Sequence, residues 1–191
     1  MMKKTMPLLL AVLALQGCMR YWHDVPRLWA SPQLLSNKTI TVYSEKGHKS
    51  APEKPYFEIA LKKKGFHIIP YSDVKKIAPD EFEKYEPKSR FTSLIMRTWF
   101  SSKLIETLQN EYALDAILFE HSYFYKYLGL WSGHCEFTVI ELSTGNILAT
   151  GWMDVDGAFS PQGALDKTAR QVVDMMIHSA KTGKRWDLIW H

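Results

Sequence analysis

The spacing of apolar positions changes repeatedly along this chain, and each change marks an element. Residues 39–43, Thr-Ile-Thr-Val-Tyr, are β-branched or aromatic throughout and predict a strand. Over residues 52–64, Tyr56, Phe57, Ala60 and Leu61 fall at helical spacing, and Gly65 supplies the stop. Residues 66–70 read as a second short strand, and residues 72–77 as one or two helical turns. Residues 78–90 are polar and broken by proline, which predicts a loop. A helix is expected over 94–112, with Leu104, Ile105, Leu108 and Tyr112 on one stripe.

Three strands are expected next, over 115–127, 134–142 and 146–156. Ser143-Thr144-Gly145-Asn146 forms the hairpin turn between the last two. Ser160 and Pro161 then open a final helix, in which Leu165, Ala169, Val172, Val173, Met176 and Ala180 line one face, and Gly183 ends it. The order β-α-β-α-α-β-β-β-α predicts an α/β (α+β) fold. It is a mixed sheet with a C-terminal three-strand meander, packed by three to four helices.

The amino terminus follows a different rule. Lys3 and Lys4 precede an apolar run of about ten residues, well short of the ~20 that span a bilayer. This charged, apolar, small-residue order is that of a secretory signal. Leu15-Gln16-Gly17-Cys18 resembles the lipobox of bacterial lipoproteins. The resemblance implies cleavage before Cys18, acylation of that cysteine (palmitate among its chains) and attachment to membrane lipid. Met19 stands where an aspartate retains enterobacterial lipoproteins in the inner membrane. The resemblance therefore implies the periplasmic face of the outer membrane. The expected organisation is a signal peptide over 1–17, a tether over 18–37, one domain over 38–182 and a tail over 183–191. Tyr21, Trp22 and Trp29 suit either the lipid interface or packing on the domain.

Cleavage leaves about 174 residues, enough for one domain with a core of its own. Losing Lys3 and Lys4 lowers the formal charge from +4 to about +2, which argues against nucleic acid as a partner. Cys135 is then the single remaining cysteine besides Cys18, so no intramolecular disulfide is expected. A strand position suits it as a small buried apolar residue.

Three segments carry a family resemblance: Phe57 to Ile69, Ala113-Leu-Asp-Ala-Ile-Leu118, and Val139 to Ala149 with its Thr144-Gly145 turn. Together they resemble the domain of the curli-secretion lipoprotein CsgG, the penicillin-binding-protein activator LpoB, the flagellar lipoprotein FlgO and the amino-terminal part of TolB. In the second segment the family has a "GADAII" run, and its glycine is matched here to Leu114, shifted by one. The chain has no spare alternating segments of ~9–11 residues from which to build membrane-spanning hairpins, which disfavours a pore.

No catalytic motif stands out, whether a glycine-rich phosphate loop, His-Glu-x-x-His, Gly-x-Ser-x-Gly or Cys-x-x-Cys. No enzyme activity, metal or cofactor is expected. His134 and Cys135 are adjacent and must face opposite ways in a strand. Asp154 and Asp156 share a face, but two carboxylates are too few for a calcium site. Surface for binding remains. Counting back from the hairpin pairs Phe137 with Trp152 on a face opposite Ile140, which is either open or covered by helices. Leu130 and Trp131, in a turn between Gly129 and Gly133, form a second candidate.

The partner-binding residues are thus Leu130, Trp131, Phe137 and Trp152. The expected function is a lipid-anchored, non-catalytic accessory protein of the cell envelope that binds another envelope protein. The alternative is a subunit of a homo-oligomeric outer-membrane secretion or assembly complex.

Overall fold

In a computed structural model, residues 27–44, 55–77, 102–127 and 129–185 are described. They form a six-stranded mixed sheet in the order β1-β6-β5-β4-β2-β3, with helices on both faces. The strands are β1 (Arg27–Ala30), β2 (Thr39–Ser44), β3 (His67–Ile68), β4 (Ala116–Tyr127), β5 (Leu130–Glu141) and β6 (Ile147–Ala158). The helices are α1 (Tyr56–Lys63), α2 (Tyr71–Lys75), α3 (Ser102–Tyr112) and α4 (Pro161–Thr182). The expected α+β architecture, with its meander and closing helix, is what the chain adopts. The expected signal peptide, Cys18, Tyr21, Trp22, the expected loop over 78–90, residues 94–101 and the end of the expected tail lie outside the described residues.

Two boundaries differ from expectation. The span read as a tether contains β1, which pairs antiparallel with β6 from Arg27↔Trp152 to Ala30↔Ala149. Leu28, Ala30 and Leu34 are buried in the main core, so the domain begins by residue 27. The backbone N–H of Ala30 donates to the Ser179 hydroxyl (3.0 Å), which itself donates to the Lys184 carbonyl (2.7 Å). That relay ties the edge strand to the end of α4. Trp29 packs on the domain, with the Arg185 guanidinium 5.7 Å from its ring centre.

The second difference is at β5, which begins at Leu130, not His134. Of the two glycines, Gly129 is the turn residue, with φ +85°. Gly133 lies inside the strand, directly beneath α4. A Cβ built there would stand 2.2 Å from Thr168 Oγ1 and 2.8 Å from the Ala164 carbonyl oxygen. Helix and sheet meet so closely that only glycine fits.

Helix α4 forms where its caps foretell. The Ser160 hydroxyl accepts from the Gly163 N–H (3.0 Å), Pro161 opens the first turn, and Gly183 closes it in the left-handed region. Its apolar stripe and that of α1 cover one face of the sheet, burying Ile40, Leu118, Cys135, Phe137, Val139 and Met153 among others. On the opposite face, the described helices cover one end. There α2 and α3 bury Ile117, Phe119, Ile140 and Leu142 with Val74 and Leu108.

The Ala113–Leu118 segment has a clear local job. Asp115 Oδ2 accepts from the backbone N–H groups of Lys38 and Thr39, each at 2.8 Å, and so fixes the start of β2 beside β4. Ala113, just past α3, has φ +49°, a conformation that suits glycine. Ala113→Gly is expected to raise stability by roughly 0.5–1 kcal/mol, because relief of left-handed strain outweighs the added freedom of the unfolded chain. A urea titration checks the sign through its midpoint.

Candidate functional site

Beyond the cover of α2 and α3, the second sheet face carries rows of paired side chains on β6, β5 and β4. Register fixes them: Thr150–Thr138–Phe119, Trp152–Glu136–His121, Asp154–His134–Tyr123, then Ser132–Tyr125. Trp29 on β1 stands beside Thr150 on the same face. No described helix lies over the Trp152 and Asp154 rows, and Trp152, Glu136, His121, Tyr123 and Tyr125 are half-buried.

The rings form a tilted stack across three strands. His134 lies 4.6 Å from Tyr123 and 6.1 Å from Trp152, centre to centre, with planes within 26° and 23° of parallel. His121 and Tyr125 flank Tyr123 at 5.8 and 6.3 Å. Carboxylates hold His134 and Tyr125. His134 Nδ1 is 2.8 Å from Asp154 Oδ1, and Nε2 is 3.4 Å from Glu136 Oε1. Tyr125 OH donates to the same Asp154 oxygen at 3.4 Å. Burial, with Asp154 and Asp156 nearby, pushes the Tyr125 phenol well above its ordinary range. Tyr125 is therefore a neutral donor at all working pH values.

A His–Asp pair suggests acid–base chemistry, but its second nitrogen faces Glu136 and not a hydroxyl or thiol. The arrangement holds the imidazole between two carboxylates, with half-buried Trp152 and Tyr123 on either side. Among the described residues, no group of three or more His, Cys, Asp or Glu is placed to hold a metal ion.

The sequence-derived candidates separate onto different surfaces. Trp152 lies on this partly open face, but its strand partner is Glu136, not Phe137. An irregularity between Val139 and Ile140, opposite Leu148, shifts the register by one from the count made at the turn. Phe137 pairs with Gly151 and is 4% exposed against α4, so it is core and not a contact surface. Leu130 and Trp131 begin β5 at the far end of the sheet. Leu130 is 38% exposed, and Trp131 is half-buried in an edge-to-face contact with Phe124, ring centres 5.5 Å apart.

No family model matches the chain, and no curated protein matches it. Solved structures do. PelC from Paraburkholderia phytofirmans, determined as a dodecamer, matches at TM-score 0.50 and 12% identity over 79% of this chain and 95% of that one. Lipoprotein GNA1162 from Neisseria meningitidis matches at TM-score 0.44 and 16% identity, over 74% and 98%. The C-terminal domain of LpoB from Salmonella enterica matches at 0.34 and 14%, over 66% and 95%. At such identities the PelC likeness is one of fold.

The His134–Asp154 pair was not legible in the sequence, because the off-by-one register placed Val155 opposite His134. The interior of the helix-covered face holds a further unforeseen group. Glu120 is buried between β2 and β5, with the Ser122 and Ser44 hydroxyls as hydrogen-bond partners. Burial raises its carboxyl above the ordinary range, although both hydroxyl bonds oppose this. Burial likewise holds the neighbouring Cys135 thiol well above its usual value, so it stays protonated and unreactive.

A carboxyl whose pKa is raised on folding adds stability that is fully present below about 4.5 and lost as pH rises through its folded value. Glu120→Gln should therefore flatten the fall in stability above that pH and be the more stable form at neutral pH. Thermal melts from pH 4 to 8 check this, and parallel curves for the two proteins would contradict it.

Proposed function

We propose that this protein is a lipid-anchored, non-catalytic accessory of the bacterial outer membrane, on its periplasmic side, that binds another envelope protein through the partly open sheet face. The observation that supports this best is the Trp152–His134–Tyr123 stack. Buried His134 is fixed between two carboxylates, and the Trp152 and Tyr123 rings stacked on either side of it are half-buried; rigid aromatics concentrate binding energy at low entropic cost. The lipobox supplies the anchor, through an acylated Cys18. Membership of the CsgG, LpoB, FlgO and TolB group belongs to this proposal, supported by the Ala113–Leu118 and Thr144-Gly145 motifs.

Trp152→Ala tests the face. The expected result is a tenfold or greater loss of partner affinity, about 1.4 kcal/mol, with an unchanged melting temperature. An unchanged affinity contradicts the assignment.

A second reading has one observation in its favour: PelC, which shares the fold, assembles as a dodecamer. In that reading the partner is another copy of this chain. Light scattering on the full-length protein in detergent separates the two, since a ring-sized particle supports self-assembly and a monomer supports a different partner.

A further inference from the structure

One end of the sheet is chemically unlike the other. Phe159, at the junction of β6 and α4, is 93% exposed. The pairing Trp131↔Ala158 places it level with Leu130, at the tip of the β4–β5 hairpin. Lys126, exposed on β4 opposite Trp131, holds its ammonium 5.8 Å from the indole centre. The other end, at the β5–β6 turn, presents exposed Ser143, Thr144 and Asn146.

Strand direction connects the apolar end to the anchor. β1 runs antiparallel to β6, so the chain enters β1 at Arg27 from the side of Ala158. Cys18 stands nine residues before Arg27, and nine residues span at most about 30 Å. The six steps of β6 from Trp152 to Ala158 cover roughly 20 Å. Both ends of the sheet lie within that reach, so length does not choose between them. Chain direction and chemistry both choose the end with Phe159.

We propose that this end, formed by Leu130, Trp131, Phe159 and Lys126, lies against the lipid bilayer beside the acylated Cys18. The exposed Phe159 ring and Leu130 enter the apolar edge of the interface, and the Trp131 indole sits at headgroup level. The Lys126 ammonium reaches the lipid phosphates while its stem covers apolar surface. The twelve-residue strands then stand up from the membrane. Ser143–Asn146 is held roughly 40 Å away, and the Trp152 face turns sideways to a neighbour. This assignment rests on reading Cys18 as lipid-attached, and it moves Leu130 and Trp131 from protein contacts to lipid contacts.

The test uses full-length lipidated protein in vesicles of phosphatidylethanolamine and phosphatidylglycerol. Phe159→Cys and, separately, Ser143→Cys carry a polarity-sensitive NBD label, and Cys135 is buried away from the reagent. Spin-labelled lipids are then added as quenchers, and vesicle flotation is scored in parallel. The expected result is flotation, with blue-shifted emission at 159 quenched several-fold more strongly than at 143. Flotation with equal quenching at both sites overturns the orientation and leaves the anchor standing. Blue-shifted emission at 159 that spin-labelled lipid does not quench means that protein covers this end, and also overturns it. Failure to float overturns the lipid reading and the orientation together.

Discussion

Gly133→Ala is expected to destabilise the protein by about 1–3 kcal/mol, a large effect for one methyl group. The new Cβ would meet Thr168 Oγ1 at 2.2 Å and the Ala164 carbonyl oxygen at 2.8 Å. The first neighbour belongs to a side chain that is itself pinned, since Thr168 Oγ1 donates to that same carbonyl at 2.8 Å. The second is helix backbone and moves only if α4 moves. Displacing α4 opens the core beneath Leu165, Ala169 and Val172, which this helix seals. At this chain length a loss of 1 kcal/mol lowers the melting temperature by roughly 2–4 °C. Thr168→Ala in the same chain should rescue the variant in part, because it removes one obstruction and leaves the other. A melting temperature unchanged in Gly133→Ala would mean that helix and strand are not in close contact there.

Cys18→Ser is expected to move most of the protein from the membrane fraction to the soluble fraction while leaving the domain folded. Each buried methylene of an acyl chain contributes about 0.8 kcal/mol, and more than one chain makes attachment stable. The few apolar side chains at the Phe159 end cannot replace that, because a fully buried large apolar side chain contributes only about 1.5–3 kcal/mol. Detergent phase partitioning of both forms reads the effect. A variant that still partitions with the membrane would contradict acylation at Cys18.

What the sequence made legible was whatever local chemistry decides. The caps Ser160 and Gly183 bound α4, the β-branched run at 39–43 forms β2, and the glycine turn at 145 joins β5 to β6. What it hid depends on long-range pairing. β1 has four residues, lies just after Pro26 and before Pro32, and is a strand because β6 and Ser179 supply its hydrogen-bond partners. Gly133 looks like a turn residue in isolation and is explained only by the helix above it. The candidate site was half visible. Trp152 is legible as a surface aromatic, but the irregularity opposite Leu148 puts it on the face away from Phe137, whose own face α4 covers. The same shift brought His134 to Asp154. One residue of register decided which side chains meet.

The most direct test of an anchored domain that recruits a partner through its sheet face is site-specific photo-crosslinking in intact envelopes. A photoreactive residue replaces Trp152 in one strain and Ile59, exposed on α1 away from that face, in another. The expected result is one discrete higher-mass species from position 152, in the membrane fraction, and none from position 59. The same ladder from both positions, or no species from position 152, would contradict recruitment through this face.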